Sequence, residues 1–163
     1  MKRNNTNIKG FTLVELIVVI AIIGVLAAIL VPSMLGFVKK ARFANANSTA
    51  KGLLNAAMLA CRENDVSHPI ANGIYGKSTS NFSETEAENA ALIKRYVEAY
   101  YTNIDSMSWA VWVQDDAPVA TCVANSEDDF YLGTYPNANY VPKTLRQETY
   151  EKALNYAKTG SWN

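Results

Sequence analysis

The chain has 163 residues, 15 basic and 15 acidic side chains, one histidine and two cysteines, and 49% of its residues are apolar. That length suits one anchored domain, and the even charge balance supplies no basic field, so bulk electrostatics give no argument for a nucleic-acid partner. One histidine, no phosphate-binding glycine loop, no nucleophile elbow and no metal-ligand cluster leave neither a catalytic set nor a cofactor or metal site to build on.

The chain opens on a polar, basic decapeptide, MKRNNTNIKG, and then turns apolar. Residues 11–31 read FTLVELIVVIAIIGVLAAILV, with Glu15 the only charge among them. About twenty residues at ~1.5 Å each match a hydrocarbon core of ~30 Å. A carboxylate at the centre of such a span costs roughly 2.5–3.5 kcal/mol, less near the interface and at the positive helix end, and an ionisable residue there reads as functional. A secretory signal is cut behind its apolar run at a small-residue site. No such site follows here, and the small residue, Gly10, stands in front of the run. Cleavage after Gly10 would leave the apolar segment on the mature chain and free the amine of Phe11, one helical turn from Glu15. Glu15 can meet that amine within one chain or in a neighbouring subunit.

Gly10-Phe11-Thr12-Leu13-x-Glu15, followed by an unbroken apolar helix with Gly24 and Pro32, resembles the type IV prepilin signature. The resemblance is close over residues 9–32 and fades beyond them. It implies a membrane aspartyl prepilin peptidase that cuts after Gly10 and N-methylates Phe11, and assembly into a helical homo-oligomer with the N-terminal helices bundled in its core. By it Gly10 is the cleavage glycine, Phe11 the methylated residue, Glu15 the assembly glutamate and Pro32 the helix-kinking proline. Lys2, Arg3 and Lys9 on one flank of the apolar run and Lys39, Lys40 and Arg42 on the other tie under the positive-inside rule. The resemblance settles the tie as a cytoplasmic N-terminus with the rest outside, surrounded by lipid until the membrane assembly machinery takes it up into an extracellular pilus.

Gly24, a weak helix former, and Pro32, which lacks an N–H, bound a segment able to melt when subunits pack. Both residue types are also common in membrane helices, and the resemblance favours melting. Behind Pro32, Ala50, Leu53, Leu54, Ala57, Met58 and Cys61 form one helical stripe, with Lys51, Asn55 and Arg62 off it. Residues 65–81 are too polar for a core element, with a turn at Asn72-Gly73 and an unpartnered His68. Ser83-x-x-Glu86 is a capping box opening a helix with an apolar face of Leu92, Ile93, Tyr96, Val97 and Tyr100.

The period then changes to two. Met107, Trp109, Val111 and Val113 alternate with Ser108, Ala110 and Trp112 as in a half-buried strand. Asp115-Asp116-Ala117-Pro118 and Ser126-Glu127-Asp128-Asp129 are turns, so strands at 119–124 and 130–135 complete an antiparallel meander of about three. The acidic loops lack EF-hand spacing and read as solvated turns rather than calcium sites. The amphipathic half of the long helix is the expected cover for so small a sheet, with Ala120, Cys122 and Ala124 against it. That placement would bring Cys122 near Cys61 and permit a disulfide in an exported domain; otherwise Cys61 is a small apolar residue on a helix face. Residues 145–158 read as a C-terminal helix with Gly160 past its end. Asn47-Ser48-Thr49 and Asn81-Phe82-Ser83 fit the glycosylation sequon only weakly.

The expected architecture is α+β: a leader at 1–10, a transmembrane or filament-core half-helix at 11–31, an amphipathic half-helix at 32–64, and a head at 65–163 of about three strands and two short helices. The favoured function is a structural subunit of a type IV pilus-like filament. A pseudopilin of a type II secretion or DNA-uptake machine shares every N-terminal feature. A minor pilin with a surface- or DNA-binding head, using Trp109 and Trp112, is the third reading. An enzyme is the poorest.

Overall fold

A computed structural model describes residues 10–63, 69–76 and 84–162. The chain divides into two units, residues 1–39 and 40–163. Helix α1 (Leu13–Glu63) begins in the first and ends in the second, with Pro32 inside it and no break in the helical backbone. In the first unit every helical side chain is exposed. An apolar window of mean hydropathy 3.1 makes it the one helix, among the described residues, long and apolar enough to cross a membrane.

In the second unit a four-stranded antiparallel sheet, ordered β1 (Gly73–Gly76), β2 (Ser108–Gln114), β3 (Ala117–Ala124) and β4 (Gly133–Tyr135), carries helices on both faces. The sheet therefore has one strand more than expected. The extra one lies in the stretch that looked too polar for a core element: Tyr75 and Ile70 are buried there. The final strand is shorter than the expected 130–135, because Phe130 is exposed and Tyr131 makes only an isolated bridge, to Lys143.

Strand alternation decides which residues meet which helix. Trp109, Val111, Val113 and Val123 join Tyr75 in a core with Ala50, Leu53, Ala57 and Cys61 of α1 and with Ile93 and Val97 of α2 (Glu84–Tyr100). The opposite residues, Ala110, Ala120, Cys122 and Ala124, pack with Leu145, Ala153, Leu154 and Ala157 of α3 (Leu145–Thr159). The middle strand thus turns its small residues away from α1. Cys122 pairs across the ladder with Ala110 on the α3 face, while Cys61 sits in the other core, and both are buried free thiols. The expected approach of Cys61 to Cys122 is corrected accordingly: the sheet itself separates them.

Local signals account for the connections. Asp115 and Asp116, with φ of 51° and 59°, form the two-residue hairpin between β2 and β3, whose twist matches that of the strands. Thr144 caps α3 by accepting from the Gln147 N–H, and Gly160 closes it with φ 77°. On α1, Met58 is partly exposed, whereas Ala56 and Ala60 are fully buried. The stripe is wider than a single face because α1 is covered by both the sheet and α2. The Ser83 capping residue, His68 and the Asn81-Phe82-Ser83 sequon lie outside the described residues.

Candidate functional site

The one charge in the apolar run sits at the very start of α1. The Thr12 N–H donates to Glu15 Oε2 at 2.9 Å, and the Thr12 hydroxyl donates to the same oxygen at 2.7 Å. In return the Glu15 N–H donates to Thr12 Oγ1 at 3.2 Å. This is a reciprocal capping box, with Thr12 as the cap and Glu15 three residues on. Thr12-x-x-Glu15 is legible in the sequence as such a box. Both bonds fall on Oε2, and among the described residues no donor meets Oε1.

Around this box the side chains have nothing to pack on. Phe11 is 78% exposed, and the run continues exposed through Val38. Gly10 and Gly24 have open space where a side chain would project. The structure therefore brings Gly10, Phe11, Thr12 and Glu15 together at the helix start, while Gly24 and Pro32 lie further along the same helix.

In the second unit the polar groups mostly hold the fold together. Asn47 of α1, 8% exposed, accepts from the N–H groups of Thr134 (2.9 Å) and Asn139 (3.1 Å) and donates to the Asn139 carbonyl (2.8 Å). Asn139, fully buried, reaches the carbonyls of Leu132 and Val141, and its side-chain oxygen accepts from the Val141 N–H. These bonds fasten β4 and the irregular segment behind it to α1. Asn47 is thus a structural tie and not a sequon asparagine open to glycosylation. Gly133 lets the strand approach so closely that a Cβ there would lie 2.1 Å from the Ala46 carbonyl oxygen.

The acidic turns are occupied in the same way. Asp116 accepts from the Ile70 N–H at 2.8 Å, Asp128 pairs with Arg146 at 2.8 Å, and Asp129 accepts from Asn125 and the Tyr131 N–H. Among the described residues no three His, Cys, Asp or Glu side chains converge on a metal position. Burial pushes the Cys61 thiol up to about 11, with Asp116 adding to the effect, and the Cys122 thiol up to about 12.

A methylation-motif terminus on a helix whose apolar first part is exposed throughout defines the class, a protein anchored through its N-terminal helix. The model of the prokaryotic N-terminal methylation motif matches residues 5–31. The chain is similar to the type IV narrow pilus major component PilA5 of Thermus thermophilus, 35% identical over 89 residues that cover 52% of this chain and 76% of that protein. It is similar to the type IV major pilin protein PilA of Myxococcus xanthus, 38% identical over 74 residues covering 45% of this chain and 34% of that one. The type IV major pilin protein PilE of Neisseria gonorrhoeae is 33% identical over 94 residues, 58% of this chain and 50% of that protein. The chain belongs to the type IV pilin family. It spans between 34% and 76% of the lengths of these three relatives. No solved structure matches it.

Proposed function

We propose that this pilin is a structural subunit of a type IV pilus-like surface filament, polymerised from a membrane pool. The observation that carries the proposal is the apolar first part of α1, exposed throughout, with a single acid at its start. Such a surface is stable only in lipid or against other copies of itself. In the precursor the N-terminus faces the cytoplasm and the remainder lies outside. A prepilin peptidase cuts after Gly10 and methylates the amine of Phe11, and the membrane assembly machinery then moves the helix from lipid into a bundle of like helices. Packing of one copy on the next by a rotation that does not close yields a filament rather than a ring. Gly24 and Pro32 bound the stretch where the helix gives way as the copies pack.

Glu15 matches this transfer. Its Oε2 belongs to Thr12, and its Oε1 accepts the Phe11 amine of a neighbouring copy, so two charges are neutralised as the apolar bundle closes. The test separates charge from capping. Glu15→Gln keeps the capping box, since glutamine serves equally at that position, but cannot neutralise the amine. Filament yield is expected to fall as far in Glu15→Gln as in Glu15→Ala, with cleavage intact in both. Normal filaments from Glu15→Gln would show that Glu15 acts by starting the helix, and the ion pair would be withdrawn.

A further inference from the structure

The second unit holds a partly enclosed cavity of about 200 Å³ between α1 and the loop from β3 to β4. Among its lining residues Met107 and Val123 are buried and apolar, so they form its floor, while Arg42, Asn45 and Asn125 are exposed and make its rim polar. From α1 come Arg42 and Asn45; from the loop come Asn125 and Asp129. The Arg42 guanidinium lies over the Tyr131 ring, 5.2 Å from its centroid, and makes no ion pair among the described residues. Asp129 is held in place by the Asn125 amide at 2.7 Å and the Tyr131 N–H at 3.0 Å, each on a different oxygen. Neither of those bonds exhausts its acceptor capacity. The Asn45 side-chain amide has no hydrogen-bond partner among the described residues.

These features narrow the ligand. The volume falls below the ~300–1,000 Å³ of drug-sized sites, so the cavity itself holds one small ring. An anion approaching Arg42 meets Asp129, and a cation approaching Asp129 meets Arg42, so a neutral ligand is favoured over either ion. The rim offers donors and acceptors together (guanidinium, two amides, carboxylate) above a floor with neither. That pairing matches a molecule with hydroxyls around its edge and C–H bonds on one face. We propose that this cavity binds one neutral pyranose ring, with hydroxyls donating to Asp129 and accepting from Arg42 and Asn45, and its C–H face on Met107 and Val123. The open mouth leaves room for the ring to belong to a longer glycan. The proposal does not rest on reading the chain as a filament subunit.

The test uses the full chain in phosphatidylcholine nanodiscs, which keeps sugar detergents out of the assay. Glucose, galactose, mannose and N-acetylglucosamine are screened by saturation-transfer NMR, with glycine and inorganic phosphate as zwitterionic and anionic probes. At least one pyranose is expected to bind in the millimolar range, with saturation strongest on ring C–H protons. Asn45→Ala, on an exposed helix face, and Asp129→Asn, which keeps an acceptor oxygen for the loop, are each expected to weaken it about tenfold. An oligosaccharide ending in that sugar binds tighter if the natural source is a glycan and equally if it is the free sugar. Binding of glycine or phosphate in place of the sugars would overturn the proposal. So would the absence of any pyranose binding, or sugar binding that both variants leave unchanged in chains whose circular dichroism is native.

Discussion

Removing the Asn47 side chain is the sharpest test of how the second unit is tied to its helix. Asn47→Ala deletes two acceptor contacts, to the N–H groups of Thr134 and Asn139, and one donor contact, to the Asn139 carbonyl. Each hydrogen bond is worth about 1 kcal/mol net, and buried groups left without a partner cost more than that. The expected loss is about 3–4 kcal/mol, a large share of the ~5–15 kcal/mol that holds a typical domain. The assay is urea unfolding of the full chain in detergent micelles, followed by fluorescence; Trp109, buried between sheet and helix, is the reporter. Asn45→Ala, an exposed change two residues away, serves as the control and is expected to stay within about 0.5 kcal/mol. If Asn47→Ala also stayed within that margin at an unchanged slope, the polar tie would carry no weight. The account of what fastens β4 would then be refuted.

Other outcomes are expected from the same geometry. Iodoacetamide at mildly alkaline pH should modify neither thiol of the native chain and both after unfolding, because burial keeps Cys61 and Cys122 protonated. An unfolded, unreduced chain lacking two hydrogens and resisting the reagent would restore the disulfide. Gly133→Ala forces a methyl into the Ala46 carbonyl and should cost about 1–3 kcal/mol of stability, read as a lower urea midpoint; an unchanged midpoint would mean the strand stands further off. The Lys143 ammonium, by hydrogen bond and charge, holds the Glu148 carboxyl below its usual range, with Lys152 adding to the effect. A depressed carboxyl stabilises the fold above its unfolded pKa and loses that contribution as pH falls through the folded value. Urea midpoints should therefore fall less steeply with acid, below about pH 4.5, in Lys143→Met than in the native chain; parallel profiles would exclude the pair.

The anchor was legible because its signals are local and redundant: an apolar run of the right length, one acid, a glycine before it and an aromatic behind the glycine. The same holds for the Asp115-Asp116 hairpin and for α3, whose end is marked by Gly160. What escaped was non-local. Nothing in residues 73–76 announces a strand, since two of the four are glycine and only Tyr75 is fully buried. Which face of β3 meets α1 depended on α3 covering the other side, and α3 shows few apolar positions because alanines supply much of its buried face. That single missing layer misplaced Cys122. Asn47 looked like part of a sequon or a helix surface, and its partners lie 87 and 92 residues away, beyond any periodic pattern. Thr12, by contrast, was in plain view as a cap.

Intact mass measurement of material sheared from the cell surface, run beside the membrane fraction, decides whether the chain is a filament subunit. A pilus subunit yields abundant sheared protein that begins at Phe11, carries one methyl group and keeps both cysteine hydrogens. Processed protein confined to the membrane would contradict the pilus subunit and favour a pseudopilin. Protein that still begins at Met1 would contradict the processing itself.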